Sequence, residues 1–200
     1  MSNIFPLIRN EIILIGPMAV GKSTVSIQLA EKLGISYFPI DEIKWYFLYR
    51  NGYNISTAKK ILLTKGFEGK MNYFYKYFGV EEVRQILDEF KGGVLDFGAT
   101  HTYHVNKMSF NKIKYLLSQF HNVFLLLPTD NLKNNIKILN RRITDRYIES
   151  YKNSQIIQSY LNYNNLLLSS KKFNLLTSNI IYTESKSIEQ IVSEILENVK

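Results

Sequence analysis

The chain has 200 residues, 46% of them apolar, 14% aromatic and 21% charged, enough apolar surface for one packed domain and too little charge for an extended, disordered chain. Its longest apolar runs, Ile12 to Ile15 and Val123 to Leu127, are far shorter than the roughly 20 residues of a membrane-spanning helix; with Pro6 and Arg9 in place of a secretory leader and no cysteine for disulfides or thiolate metal sites, the expectation is a cytoplasmic protein without a membrane partner. The net charge of +8 is spread along the chain without a long basic run, in a composition heavy in Asn, Lys, Ile and Tyr, so nucleic acid is not the expected partner.

Hydrophobic period sorts the chain into alternating strands and helices. Ile12 to Ile15, closed by Gly16 and Pro17, reads as a strand buried on both faces. Val25, Leu29 and Leu33 recur at helical spacing, and Gly34 stands as the C-terminal cap. Tyr37 to Ile40 reads as a second strand, which Pro39 confines to an end or an edge of the sheet. From Asp41 to Phe90 the pattern is mainly helical, with breaks near Gly52, Gly66 to Gly69 and Gly79. Val83, Ile86, Leu87 and Phe90 form its clearest apolar face.

After Gly92 and Gly93, Val94 and Leu95 make a third strand that Asp96 closes. Ile113, Leu116, Leu117 and Phe120 mark another helix, and Val123 to Leu127 a fourth strand ended by Pro128. Asp130 is placed to cap a helix carrying Leu132, Ile136, Leu139 and Ile143 on one side and basic at its far end. A helix around Ile156 to Leu168 and a short strand, Ile180 to Tyr182, follow. Ser187 and Gln190 make a capping box for a last helix with Ile188, Ile191, Val192, Ile195 and Val199 inside. The alternation predicts an α/β domain with a parallel sheet and helices on both faces.

The most specific feature is Gly16-Pro17-Met18-Ala19-Val20-Gly21-Lys22-Ser23, a complete G-x-x-x-x-G-K-[ST] between a predicted strand and a predicted helix. Such a loop curls so that successive N–H groups converge on phosphate oxygens above the positive end of the following helix. Gly16, Ala19, Val20, Gly21, Lys22, Ser23 and Thr24 are therefore the candidate ATP-phosphate site. Lys22 would reach the β and γ phosphates, and the Ser23 hydroxyl would help hold Mg²⁺. Transferases, hydrolases and motors share this loop, so it does not name the phosphoryl acceptor.

The segment Ile12 to Leu33 followed by Asp41 resembles the opening of shikimate kinase and related P-loop small-molecule kinases. The resemblance implies a P-loop NTPase fold of the nucleoside-monophosphate and shikimate kinase type, a three-layer sandwich with a parallel five-stranded sheet. It also implies one kinase domain over 1–200, with a helical acceptor-binding insertion at about 42–91 and a lid at about 140–152. In that family an aspartate nineteen residues beyond the loop lysine binds the acceptor hydroxyl, and Asp41 stands nineteen residues after Lys22.

Asp41 is thus the candidate catalytic and acceptor residue, while its position also suits a cap for the helix beginning at Glu42. Asp96 ends a strand at the carboxyl edge of the sheet, where ligands of such folds bind; it reads as a metal or acceptor residue, or as a turn-forming aspartate. Gly98 would let substrate approach the backbone. Arg141, Arg142 and Arg146 fall where the resembled kinases carry a mobile lid, and would neutralise charge on the phosphates, unless they simply form a solvated helix end. His101 and His104 read as structural or substrate-facing rather than as a metal pair. The aromatics Trp45, Tyr46, Phe47 and Tyr49, and those from Phe67 to Phe78, read as packing for the insertion or, where a ring is exposed, as a surface that stacks on a base or covers a sugar-like ring.

The sequence departs from the family mainly on the acceptor side. Pro39 stands where the family has a second acid. Lys65 is the nearest basic residue to the family's acceptor-binding arginine and lacks its planar fork. Phe97-Gly98-Ala99-Thr100 replaces a triple-glycine turn. The expected activity is ATP- and Mg²⁺-dependent phosphoryl transfer to a hydroxyl of a small molecule, with a nucleoside or nucleotide kinase and a non-catalytic nucleotide-binding module as the alternatives.

Overall fold

A computed structural model describes residues 9–102, 104, 106–148 and 154–200. The first strand, β1 (Arg9–Ile15), is followed by α1 (Lys22–Leu33), β2 (Ser36–Pro39) and three helices, α2 (Ile40–Arg50), α3 (Ile55–Tyr77) and α4 (Gly79–Glu89). Next come β3 (Gly93–Asp96), α5 (Ala99–Thr102), α6 (Lys107–Leu117) and β4 (Phe120–Leu127). The chain ends with α7 (Leu132–Tyr147), α8 (Ser154–Ser169), a 3₁₀ turn (Lys172–Leu175), β5 (Asn179–Tyr182) and α9 (Ile188–Asn198).

The strands form one parallel sheet in the order β2-β3-β1-β4-β5. Successive strand residues point to opposite faces, yet Ile12 to Ile15 and all of β3 are buried. Helices therefore cover both faces, as the unbroken apolar runs predict. Burying one such aliphatic side chain contributes about 1.5–3 kcal/mol. β2 is an edge strand ending at Pro39, so the missing amide leaves no gap inside the sheet.

This order places the turn after β1 where the chain switches from one side of the sheet to the other, the crevice in which open α/β sheets bind ligands. β2 and β3 run beside it in register, with Pro39 opposite Asp96. Their carboxyl ends thus deliver Asp41 and Asp96 to the same edge as the glycine loop.

Several boundaries differ from the sequence expectation. Ile40 opens α2 instead of ending β2, and Asp41 lies within that helix's first turn; its N-cap position is Pro39. Phe120 begins β4 although it continues the apolar period of α6, because a buried strand residue and a fourth helical stripe residue look alike in sequence. Asn131, not Asp130, caps α7, its Oδ1 accepting the Asn134 N–H at 3.1 Å. α3 kinks at Gly66 (φ 66°) and continues as helix through Gly69. Ser187 and Gln190 form the predicted capping box. Part of the expected lid, 149–152, lies outside the described residues.

Among the clustered aromatics, Phe47, Phe74, Tyr75 and Phe78 are core, while Trp45, Tyr46, Tyr49 and Tyr77 are exposed. The insertion therefore packs with only part of its aromatic set. No helix among the described residues is long and apolar enough to cross a membrane.

Candidate active site

The loop between β1 and α1 adopts a backbone that few sequences tolerate. Gly16 (φ 147°), Ala19 (φ 61°) and Gly21 (φ 103°) all have positive φ. A Cβ on Gly16 would stand 2.5 Å from the Leu126 carbonyl oxygen, so both the turn and the close passage beside β4 require glycine. Ala19 has no such freedom, and a left-handed alanine costs about 1–2 kcal/mol. Strain of this kind persists where the surroundings enforce it, characteristically at ligand clamps. Here Asn164 of α8 helps enforce it, its Oδ1 accepting the Met18 N–H at 2.8 Å.

Lys22 is 8% exposed and turns back over the loop. Its ammonium donates to the carbonyl oxygens of Gly16 at 3.1 Å and Pro17 at 2.9 Å. Burial pushes its pKa down, opposed by the carboxylates of Asp96 and Asp41 and reinforced by Arg146. A buried ammonium balanced by two acids is ready to exchange its carbonyl partners for phosphate oxygens.

A cleft of about 120 Å³ opens over the loop. Ala19, Gly21, Lys22, Ser23 and Thr24 line one side, Asp41, Asp96, Gly98 and Ala99 the other, and Arg146 and Tyr147 stand at the α7 end. Most of the residues selected from sequence thus converge. A larger groove, about 850 Å³, lies between α4 and α6 and is lined by Val80, Arg84, Met108 and Tyr115 among others. It is lined by none of the site residues selected from sequence, most of which the smaller cleft gathers.

Asp41 has a side chain 62% exposed toward the cleft and bonded to Lys44 at 2.7 Å. Its carboxyl is shifted to about 2: burial among protein atoms opposes ionisation and is outweighed by His101, Lys44 and Lys22. Such a weak base suits holding an acceptor hydroxyl better than abstracting its proton at the outset. Gly98 abuts this carboxylate, so the glycine serves Asp41 as well as any approaching substrate.

Asp96 is 7% exposed and accepts from the Tyr37 hydroxyl at 3.4 Å. Burial and the Asp96 charge push Tyr37 up to about 12, and the Ser23 side chain lies beside the phenol. Tyr37 therefore joins the two oxygen donors selected for Mg²⁺. Ser23 and Asp96 offer hard oxygen donors of the kind that Mg²⁺ favours.

The other selected residues stand apart. Val20 is 3% exposed, its side chain in the core, leaving only its backbone for phosphate. Lys65 is exposed on α3 and does not line the cleft. Arg141 and Arg142 are likewise absent from the cleft walls. Arg141 lies five residues from Arg146 and so on a different side of the helix, and Arg142 is drawn aside by Glu184 at 3.2 Å. Arg146 alone of the three reaches the site.

Sequence reasoning missed Tyr37, Lys44, Glu82, Asn164 and the partnership of His101. Lys44 carried a signal, its i,i+3 spacing from Asp41 at a helix start. Glu82 carried another, standing four residues before Ile86 on the buried stripe of α4 where an unpaired charge is disfavoured. Tyr37 and Asn164 meet the site only through tertiary contacts.

No family model matches the chain, and no curated protein matches it by sequence. Solved structures do match. The shikimate kinase of Bacteroides thetaiotaomicron superposes with a TM-score of 0.57 at 15% identity, covering 94% of each chain. The protein has a shikimate kinase-like fold. A shikimate kinase from Acinetobacter baumannii, solved in complex with shikimate, gives 0.53 at 19% identity, over 96% of this chain and 93% of that one. The shikimate kinase of Aquifex aeolicus gives 0.52 at 20% identity, over 94% and 95%. Its five parallel strands flanked by helices fit an α/β P-loop fold.

Proposed function

We propose that the protein is an ATP- and Mg²⁺-dependent kinase that phosphorylates a hydroxyl group of a small molecule. The observation carrying this reading is the convergence of Lys22, Ser23, Asp41, Asp96 and Arg146 on one cleft at the strand ends. The shikimate kinase-like fold supports it independently.

In this reading the loop amides and Lys22 hold the ATP phosphates, and Ser23 and Asp96, kept together by Tyr37, hold Mg²⁺. Mg²⁺ held there would supply neutralisation of charge on the phosphoryl group. Asp41 releases Lys44 to accept a hydrogen bond from the acceptor hydroxyl, aligning its oxygen with the γ phosphorus. The new O–P bond forms as the bond from the γ phosphorus to its bridging oxygen breaks. ADP departs with that electron pair, and the hydroxyl proton leaves by way of Asp41 to solvent. Arg146 stabilises the charge that develops between donor and acceptor.

Pro39, opposite Asp96 where the resembled family has an acid, favours a second reading: a nucleotide-binding module without transfer. Exposed Trp45, Tyr46 and Tyr49 on α2 offer stacking surfaces for a nucleoside acceptor. ADP release in the presence of shikimate, then of pooled nucleosides, sugars and amino alcohols, separates these readings, with Lys22→Ala as the blank. Acceptor-stimulated release supports the kinase and names its substrate class. ATP binding with no stimulation above the blank in any pool would favour the module.

A further inference from the structure

Beneath Asp41 lies a buried ionisable pair that phosphoryl transfer does not by itself require. Glu82 of α4 and His101 of α5 are both 0% exposed, with His101 Nε2 3.4 Å from Glu82 Oε1. Neither Glu82 oxygen nor His101 Nε2 has a hydrogen-bond partner among the described residues, so the two groups meet at ion-pair distance and not as a hydrogen bond. A buried carboxylate left so bare is strongly disfavoured unless a positive group or a proton faces it.

The other ring nitrogen fixes the place of one proton. His101 Nδ1 lies 3.2 Å from the Gly98 carbonyl oxygen, which can only accept, so Nδ1 carries a proton. A second proton, on Nε2, would give the ring the positive charge that the bare Glu82 carboxylate 3.4 Å away calls for. The Phe97 ring meets the imidazole edge-on at 5.6 Å. His104, which follows α5, is held neutral by burial, its pKa lowered to about 4. Lys172 donates to the His104 carbonyl and so faces that residue's backbone.

Gly98 connects this pair to the active site. Its carbonyl accepts a hydrogen bond from His101 Nδ1, and its missing side chain leaves the space that the Asp41 carboxylate fills. One glycine thus separates ring from carboxylate. Lys44 holds Asp41 from the cleft side and must yield to an acceptor hydroxyl, whereas His101 is sealed below and stays.

We propose that His101, held doubly protonated by Glu82, is a positioning residue that keeps the Asp41 carboxylate ionised and seated against Gly98 when the acceptor displaces Lys44. The proposal rests on Asp41 as the acceptor residue. It explains the conjunction of Glu82, His101 and Gly98, which the phosphate loop does not need.

The test is made on the full-length, ligand-free protein by NMR. The chain has three histidines, His101, His104 and His121, so ¹⁵N spectra resolve each ring. The wild-type spectrum at neutral pH should show both His101 nitrogens protonated, and Glu82→Gln should leave only one; a singly protonated wild-type His101 overturns the proposal without any variant. In His101→Gln the Asp41 carboxyl, followed by ¹³C, should titrate about one pH unit or more higher than in wild type. The acid limb of kcat/KM for the acceptor should move with it while ATP affinity is unchanged. A folded His101→Gln whose Asp41 titrates as in wild type also overturns the proposal. Because these titrations need no turnover, absence of a phosphorylated product would refute the kinase reading separately.

Discussion

The carboxylate of Asp41 occupies the space that a side chain at position 98 would fill. A Cβ built on Gly98 would stand 2.7 Å from Asp41 Cγ and nearer still to both oxygens. β2 and β3 bring the two together because Pro39 and Asp96 pair across the strands, and each chain continues two residues further to Asp41 or Gly98. The glycine therefore determines where the Asp41 carboxylate can sit.

Gly98→Ala should displace that carboxylate without unfolding the domain, since the 62% exposed Asp41 side chain has open cleft to move into. Acceptor kcat/KM should fall by about 100-fold, the scale expected for a misplaced reacting group, with the ATP Kd unchanged. Steady-state kinetics and titration calorimetry on the same preparation check both parts.

The three arginines of α7 should separate cleanly. Arg146→Ala should lower kcat by about 10²–10³, the range for removing one preorganised charge stabiliser. Arg141→Ala should leave kcat near wild type. Arg142→Ala loses an exposed ion pair with Glu184, worth about 0–1 kcal/mol, and should change kcat by no more than about threefold. A kcat loss from Arg141→Ala that matched Arg146→Ala would overturn the division.

The sheet was legible in the sequence because buried parallel strands are short apolar runs between glycines and prolines. Pro39 marked its own strand as an edge, and the glycine loop marked the phosphate end. What escaped depends on contacts distant in sequence. Tyr37 meets Asp96 fifty-nine positions away, and Asn164 reaches Met18 across 146. The arginines were indistinguishable as residue types; helical rotation and the position of Glu184 decide between them. Lys65 is singled out by distance along the chain, and the kink at Gly66 and the exposed course of α3 carry it away from the cleft walls.

The pH response of stability follows from Asp41, whose carboxyl is shifted from 3.8 to about 2. A carboxylate with a depressed folded-state value stabilises the native state above its unfolded value, and that contribution is lost as pH falls through the folded one. Wild type should therefore lose stability relative to Asp41→Asn between about pH 4 and pH 2, and hold a constant difference from it above that window. Denaturant midpoints across the acid range check the sign.

Tyr37→Phe should raise the Mg²⁺ requirement. It keeps the ring and removes the hydroxyl that joins Asp96 to the Ser23 side of the cleft. Losing an outer-shell partner typically costs about 10-fold or more in metal affinity, so half-saturating Mg²⁺ should rise by about that factor. Mg²⁺ titrations of ATP binding and of turnover should shift together, while the melting temperature stays close to wild type.

The central claim is that the cleft moves a phosphoryl group from ATP to a hydroxyl, with Asp41 aligning the acceptor. The most direct measurement is ³¹P NMR of ATP, Mg²⁺ and the acceptor pools incubated with wild type, Lys22→Ala and Asp41→Asn. The account predicts a new phosphomonoester resonance growing in step with ADP for wild type, abolished by Lys22→Ala and strongly reduced by Asp41→Asn. ADP appearing only with inorganic phosphate, or a monoester formed equally well by Asp41→Asn, would contradict it.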